Sequence, residues 1–342
     1  MSWDQIRGHD TVRQRFEHAV VSGRLGQSYL FVGPEGVGKK RFANELAKVM
    51  LCETRTTRFI ACGNCASCKL CDAGTHPDMK SFQKREDKTV FTVEVIDDDV
   101  HPFIYLKSSR GNKKVAILDD CDLFNEDAAN KFLKTLEEPP NGSLLILLST
   151  STESQLPTIL SRCQVVRFNP LASEDVVAVL QSQGMSDPIL ADRVARLSGG
   201  SPGLALSLAE PAIWAFRETL LAAISASPVR ASALIESWLR FIEEAGKESV
   251  QKRRRACQSV SMAIHFLRRT LRLIVGSETS GLTGIDLQQA KALAGKIGPD
   301  GLLALLDACE RANERINGLV PFTIVVESLA DRIARPMAVV AM

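Results

Sequence analysis

The chain has 342 residues, 45% of them hydrophobic, enough for two or three domains with sizeable cores built without disulfides. Lysine and arginine (42) nearly balance aspartate and glutamate (40), and a net charge of +2 excludes a molecule that attracts nucleic acid through its overall field. No apolar run approaches the roughly 20 residues of a membrane span, and the N-terminus has no signal-peptide pattern, so a cytoplasmic protein without a membrane partner is expected.

The first element is the apolar run Tyr29-Leu30-Phe31-Val32, which predicts a buried strand. It leads into Gly33-Pro34-Glu35-Gly36-Val37-Gly38-Lys39-Lys40. Gly33, Gly36 and Gly38 let the backbone turn so that its N–H groups point inward at phosphate oxygens. Residues 41–50 have helical spacing, with Phe42, Leu46, Ala47 and Met50 on one side, so the loop ends at a helix N-terminus that favours an anion. Lys39 is placed to reach the outer phosphates. The next position is normally Ser or Thr, whose hydroxyl binds Mg²⁺. Lys40 stands there instead, and its ammonium repels the cation. The pattern predicts an ATPase frame in which ATP and Mg²⁺ are held weakly or not at all. A Gly-rich turn without a ligand is the bland alternative, and the strand–loop–helix context argues against it.

Five of nine cysteines follow within 52–71: Cys52, Cys62, Cys65, Cys68 and Cys71. Repeated C-x-x-C spacing without a secretory signal reads as a metal site, not a disulfide. Four thiolates around tetrahedral Zn²⁺ make a closed, structural centre. One candidate is surplus. Cys71 is the one to leave out, although Cys62, Cys65, Cys68 and Cys71 form an alternative set.

Runs at 79–82 and 90–95 predict two further strands. The run 115–118 is a buried strand ending in Asp119-Asp120. An acid at such a strand end commonly holds Mg²⁺. Related ATPases usually carry Glu next, to orient the attacking water, and Asp120 is one methylene shorter. The helix after Asp122 offers Leu123, Phe124, Phe132, Leu133 and Leu136 for packing and is stopped by Pro139-Pro140. The run 144–148 ends in Ser149-Thr150-Ser151, where Thr150 is a candidate sensor of the terminal phosphate. A short helical turn then presents Arg162, a candidate arginine finger.

Strands alternating with helices through Phe168 predict a parallel sheet covered by helices. Three short helices at 171–183, 188–197 and 202–209 form a small lid, broken at Gly199-Gly200-Ser201-Pro202. From Pro211 onward only helical periodicity is present, as in Leu302, Leu305, Leu306, Cys309 and Ala312. The basic run Lys252-Arg253-Arg254-Arg255, with Arg268, Arg269 and Arg272, could face DNA or an acidic partner, and a solvated helix face is preferred. The five histidines are scattered and give little support to a histidine-based catalytic site.

From Gly8 to Leu208 the chain resembles bacterial clamp-loader subunits of the AAA+ class, most closely the delta-prime family of the DNA polymerase III holoenzyme. The resemblance rests on the phosphate loop, the cysteine module, Gly74-Thr75-His76-Pro77-Asp78, the run 128–140 with its Leu136-Glu137-Glu138-Pro139-Pro140, and Ser161-Arg162-Cys163. It implies an AAA+ nucleotide-binding-type α/β domain at 1–170 with the cysteine module near 52–71, a helical lid at 171–209, and an all-α collar at 210–342. It implies a non-polymerising subunit that helps load the sliding clamp on primed DNA, in a hetero-pentamer with motor (gamma/tau) and delta subunits. Cys52, Cys62, Cys65 and Cys68 match the family's Zn²⁺ ligands. Arg162 matches its finger used in trans. Gly203 stands where motor subunits carry a second sensing arginine. Lys40, Asp120 and Gly203 all weaken hydrolysis in cis, which fits a stator better than a motor. The alternatives are an active motor subunit of the same loader, and a zinc-dependent nucleic-acid binder on a relic nucleotide fold.

Overall fold

The computed structural model describes residues 3, 6–55, 59–85, 88, 90–276, 282 and 284–335. The chain divides into two compact units, Met1–Leu206 and Ser207–Met342.

The first unit is built on five parallel strands: β1 (Ser28–Val32), β2 (Met79–Phe82), β3 (Lys114–Leu118), β4 (Ser143–Ser149) and β5 (Gln164–Arg167). Their order across the sheet is β2-β3-β4-β1-β5. Every residue of β1, β3 and β4 is buried, as continuous apolar strands covered on both faces should be. Leu30 sits level with Leu147 on one side and Val165 on the other. On one face Leu30, Leu118 and Leu147 pack with Ile96 and Phe132. On the other, Phe31 and Phe42 lie 5.0 and 5.2 Å from Phe168, ring centre to ring centre.

Around the sheet run α1 (Asp10–Val21), α2 (Lys39–Leu51), α3 (Ala66–Asp72), α4 (Val93–Val95), α5 (His101–Tyr105), α6 (Glu126–Glu137) and α7 (Pro157–Leu160). The face of α2 is wider than its spacing predicted. Phe42, Leu46 and Ala47 are buried, but so are Glu45, Lys48 and Val49, while Met50 is half-buried. The run 90–95 is not a strand. Phe91 makes one isolated bridge to Phe124, and α4 continues through a π-helical turn, Ile96–Val100, into α5. The reason is the spacing beyond the run: Val95, Ile96, Val100 and Ile104 are all buried, a stripe of helical character that outweighs the β-branched residues at its start. The unit closes with α8 (Ser173–Ser182), α9 (Pro188–Leu197) and the start of α10 (Pro202–Leu208).

The second unit is helical: α11 (Pro211–Ser225), α12 (Ala231–Glu243), α13 (Ser249–Ile274), α14 (Gly284–Asn317) and α15 (Phe322–Ala334). Gly298, at φ 64 and ψ −177, breaks α14 just before Pro299. Trp238 is fully buried and donates its indole N–H to Ser259 Oγ at 2.6 Å. Phe216 stacks on Phe241 at 4.0 Å. Buried Arg217 is neutralised by Asp286 at 2.8 Å. Leu302, Leu305, Cys309 and Ala312 are buried as their period predicted, and Leu306 is half-buried. Among the described residues no helix is long and apolar enough to cross a membrane.

Candidate nucleotide edge and cysteine centre

Because β1, β3 and β4 are parallel, the residues after them emerge at one edge of the sheet, the edge where ligands bind in open α/β folds. That edge collects Gly33–Lys40, Asp119-Asp120 and Thr150. Gly38 caps α2 at φ 110, a left-handed conformation that excludes most side chains. A Cβ on Gly33 would lie 2.2 Å from Phe168 O, so only glycine fits against β5's exit.

The loop is already engaged by protein. Ser201 donates its hydroxyl to Glu35 O at 2.8 Å, and the Gly203 N–H donates to Gly36 O at 3.0 Å. A Cβ at Gly203 would meet Gly36 Cα at 2.8 Å. Gly203 is therefore the residue that lets α10 approach the loop, a role its sequence position did not reveal. Buried His9 lies under the loop, its Nε2 3.0 Å from Val37 O, and burial pushes its imidazole below the usual range. Lys39 turns back on its own loop, donating to Gly33 O and to Pro34 O at 2.9 Å. Burial lowers its pKa, against the pull of Asp122 and Asp119.

Lys40 Nζ lies 3.0 Å from Asp119 Oδ2. Asp120 adopts a left-handed conformation at φ 56, and burial, with Asp119 beside it, raises its carboxyl above the ordinary range. Thr150 is exposed, and its N–H donates to Asp122 Oδ2 at 2.8 Å. Asp122 also accepts from Ser149, Ser154 and Gln155. It is the hub that fixes the end of β4, and sequence reasoning missed it because its partners lie some thirty residues on. A cavity of about 220 Å³ opens at the other end of the strands, beside Gln27, Lys113 and Ser143, away from the phosphate loop.

Four cysteines converge. The Sγ atoms of Cys52, Cys62, Cys65 and Cys68 all lie within 4.8 Å of one another. Backbone N–H groups of Cys62, Cys65 and Cys68 point at the sulfurs of Cys52, Cys62 and Cys65, at 3.3 to 3.4 Å. Such donors favour thiolates, and the Cys62 thiol is drawn down to about 6 by the Thr54 hydroxyl and by backbone N–H groups. Burial pushes the Cys68 thiol up. This donor set fits a tetrahedral metal. Cys71 lies outside it, and burial holds its thiol at about 12. The module is tied to the rest of the unit at two points. Buried Lys48 of α2 binds Asp72 at 2.7 and 2.8 Å. Ser67 of α3 joins Glu53 to His76, and His76 Nδ1 accepts the N–H of Asp78.

Arg162 sits elsewhere. Its Nε donates to Glu137 Oε1 at 2.9 Å, and its Nη1 to Thr158 O and Ser161 Oγ. Both residues lie where strands begin, Glu137 before β4 and Arg162 before β5, whereas the phosphate loop lies where β1 ends. In the second unit the basic run is largely spent internally. Lys252 binds Glu243, Arg253 the carbonyl of Ile316, Arg255 Glu210, and Arg268 Glu310, while Arg254 is exposed.

Residues 8–172 match the family model described as DNA polymerase III, delta subunit. DNA polymerase III subunit delta' of Pseudomonas aeruginosa is 33% identical over 241 residues, 69% of this chain and 69% of that protein. Subunit delta' of Escherichia coli is 33% identical over 227 residues, 65% of this chain and 67% of that protein. Subunit tau of Escherichia coli is 32% identical over 213 residues, 61% of this chain but 32% of tau. At the identity and coverage shared with the Pseudomonas aeruginosa subunit, the chain belongs to the DNA polymerase III delta' subunit family.

Proposed function

We propose that this chain is the stator of a clamp loader: it does not hydrolyse ATP efficiently in its own site, and it supplies Arg162 in trans to a neighbouring motor subunit. The observation that carries this reading is the register of β1 against β5. Tyr29 pairs with Gln164 and Val32 with Arg167. The phosphate loop begins beyond the second pair, and Arg162 precedes the first. About 10 Å of strand, plus a residue or more at each end, separates them, too far for Arg162 to serve its own loop. A half-buried guanidinium held by Glu137 at the opposite edge suits a donor to another chain.

Residues 1–170 form the nucleotide-type domain of this reading, 171–209 the lid and 210–342 the collar through which motor (gamma/tau) and delta subunits assemble around the sliding clamp and primed DNA. Residues 336–342 of the collar lie outside the described residues. Zn²⁺ bound by Cys52, Cys62, Cys65 and Cys68 crosslinks the module and performs no chemistry. The donor geometry supports this ligand set over the alternative that includes Cys71.

The test is ATP turnover by the cognate motor subunits with delta and clamp, adding this chain as wild type or as Arg162→Ala, with the chain alone as control. The stator reading expects silence alone and support of turnover by the wild type only, since an arginine finger contributes about 10³–10⁵ in kcat at the site it serves. Hydrolysis by the chain alone would replace it with the motor reading.

A further inference from the structure

A phosphate-loop site holds its divalent cation through the hydroxyl that follows the loop lysine and through the acid at the end of a nearby strand. Here the hydroxyl is missing, and the side chain in its place reaches the acid itself: Lys40 Nζ is 3.0 Å from Asp119 Oδ2. A single ammonium, attached to the chain, replaces one of the metal's protein anchors and engages the other. These residues do not fit Mg²⁺. An ion approaching Asp119 meets a fixed positive charge and has no hydroxyl to complete its shell.

The pair is not a deep structural bridge. The lysine side chain is 46% exposed and the aspartate 26%, so solvent reaches both and the pair adds little to stability. Its effect is local charge. Asp119 is neutralised where a metal-dependent site needs it free. Lys39 is withdrawn onto Gly33 O and Pro34 O, and of the two loop lysines it is Lys40 that bridges to the strand-end acid.

We propose that Lys40 is a tethered monovalent substitute for the divalent cation, so that this phosphate loop and its strand-end acid do not recruit a divalent metal. The inference deepens the reading of a chain that does not hydrolyse ATP in cis: a monovalent ammonium that cannot exchange gives neither the charge nor the bridging geometry that phosphoryl transfer requires.

Mn²⁺ replaces Mg²⁺ and is visible by electron paramagnetic resonance. The full chain is titrated with Mn²⁺ in the presence of ADP, as wild type, Lys40→Arg, Lys40→Thr, and Lys40→Thr with Asp119→Asn. Circular dichroism confirms folding of each. Wild type and Lys40→Arg are expected to bind no Mn²⁺ beyond that held by free ADP. Lys40→Thr gains one site at least tenfold tighter, and the double variant loses it. The proposal is overturned if the wild type itself binds Mn²⁺ in an Asp119-dependent way, or if folded Lys40→Thr gains no site. This measurement involves no turnover and no partner, so its failure leaves the Arg162 assay untouched, and failure of that assay leaves this result standing.

Discussion

Arg162 and Glu137, twenty-five residues apart in sequence, meet through a hydrogen bond from Nε to Oε1 of 2.9 Å. The contact joins the Leu-Glu-Glu-Pro-Pro run at the end of α6 to the Ser-Arg-Cys triplet before β5. Glu137 is thus a positioning residue for the candidate finger. Because both side chains are partly exposed, the pair stabilises the fold by about 1 kcal/mol at most. Glu137→Gln should leave the melting temperature nearly unchanged and reduce turnover by the motor subunits by less than Arg162→Ala does. Thermal unfolding and the reconstituted ATPase assay check the two halves.

The cysteine centre makes a sharper distinction. Cys65→Ser removes one of four converging sulfurs and should release the metal, loosening the module while leaving the Arg162–Glu137 contact intact. Cys71→Ala touches none of the four and should keep a full equivalent of zinc by elemental analysis. Zinc lost with Cys71→Ala, or a native protein free of metal, contradicts the assignment.

Gly203 predicts a failed restoration. Installing the motor-type arginine there requires a Cβ 2.8 Å from Gly36 Cα. Gly203→Arg should therefore destabilise the protein, by about 1–3 kcal/mol as for other overpacked sites, without producing ATPase activity. Chemical denaturation gives the first number and a turnover assay the second.

Acid sensitivity follows from three histidines. Burial lowers the pKa of His9 and His76, and burial with Arg268, Arg269 and Arg272 lowers His265 to about 4. Their folded-state pKa values lie below the unfolded value, so the unfolded chain takes up protons first. The stability they contribute is fully present above about pH 6.5 and is lost as pH falls through that value towards 4. Denaturation midpoints measured from pH 7.5 to 4.5 should decline across this window, and His265→Gln should flatten the lower part of the decline.

Local chemistry was legible in the sequence and long-range partnership was not. Gly33 to Lys39, the four convergent cysteines and the strand ends at Asp119 and Thr150 are contiguous patterns, and each was found where expected. The run at 90–95 misled because its β-branched residues look like a strand until the buried stripe through Ile104 is counted. His9 and Asp122 act on residues about 30 positions away with no motif to announce them, and Glu137 stood in the Leu-Glu-Glu-Pro-Pro run, whose pairing with Arg162, 25 residues on, the run itself did not reveal. The basic residues of α13 looked like a surface stripe because their acids lie elsewhere in the chain, Glu243 on α12, Glu310 on α14 and Glu210 at the N-cap of α11.

The separation of Arg162 from the phosphate loop gives the chain a direction. A subunit whose donor lies at one edge and whose acceptor lies at the other assembles head to tail, each member completing the site of the next. On the stator reading proposed above, the donor edge is the one where Glu137 holds Arg162, and the acceptor edge carries its own ammonium. Such a subunit can begin or end a row but has no need of a donor behind it, so a row that contains it has a terminus written into its chemistry and need not close on itself.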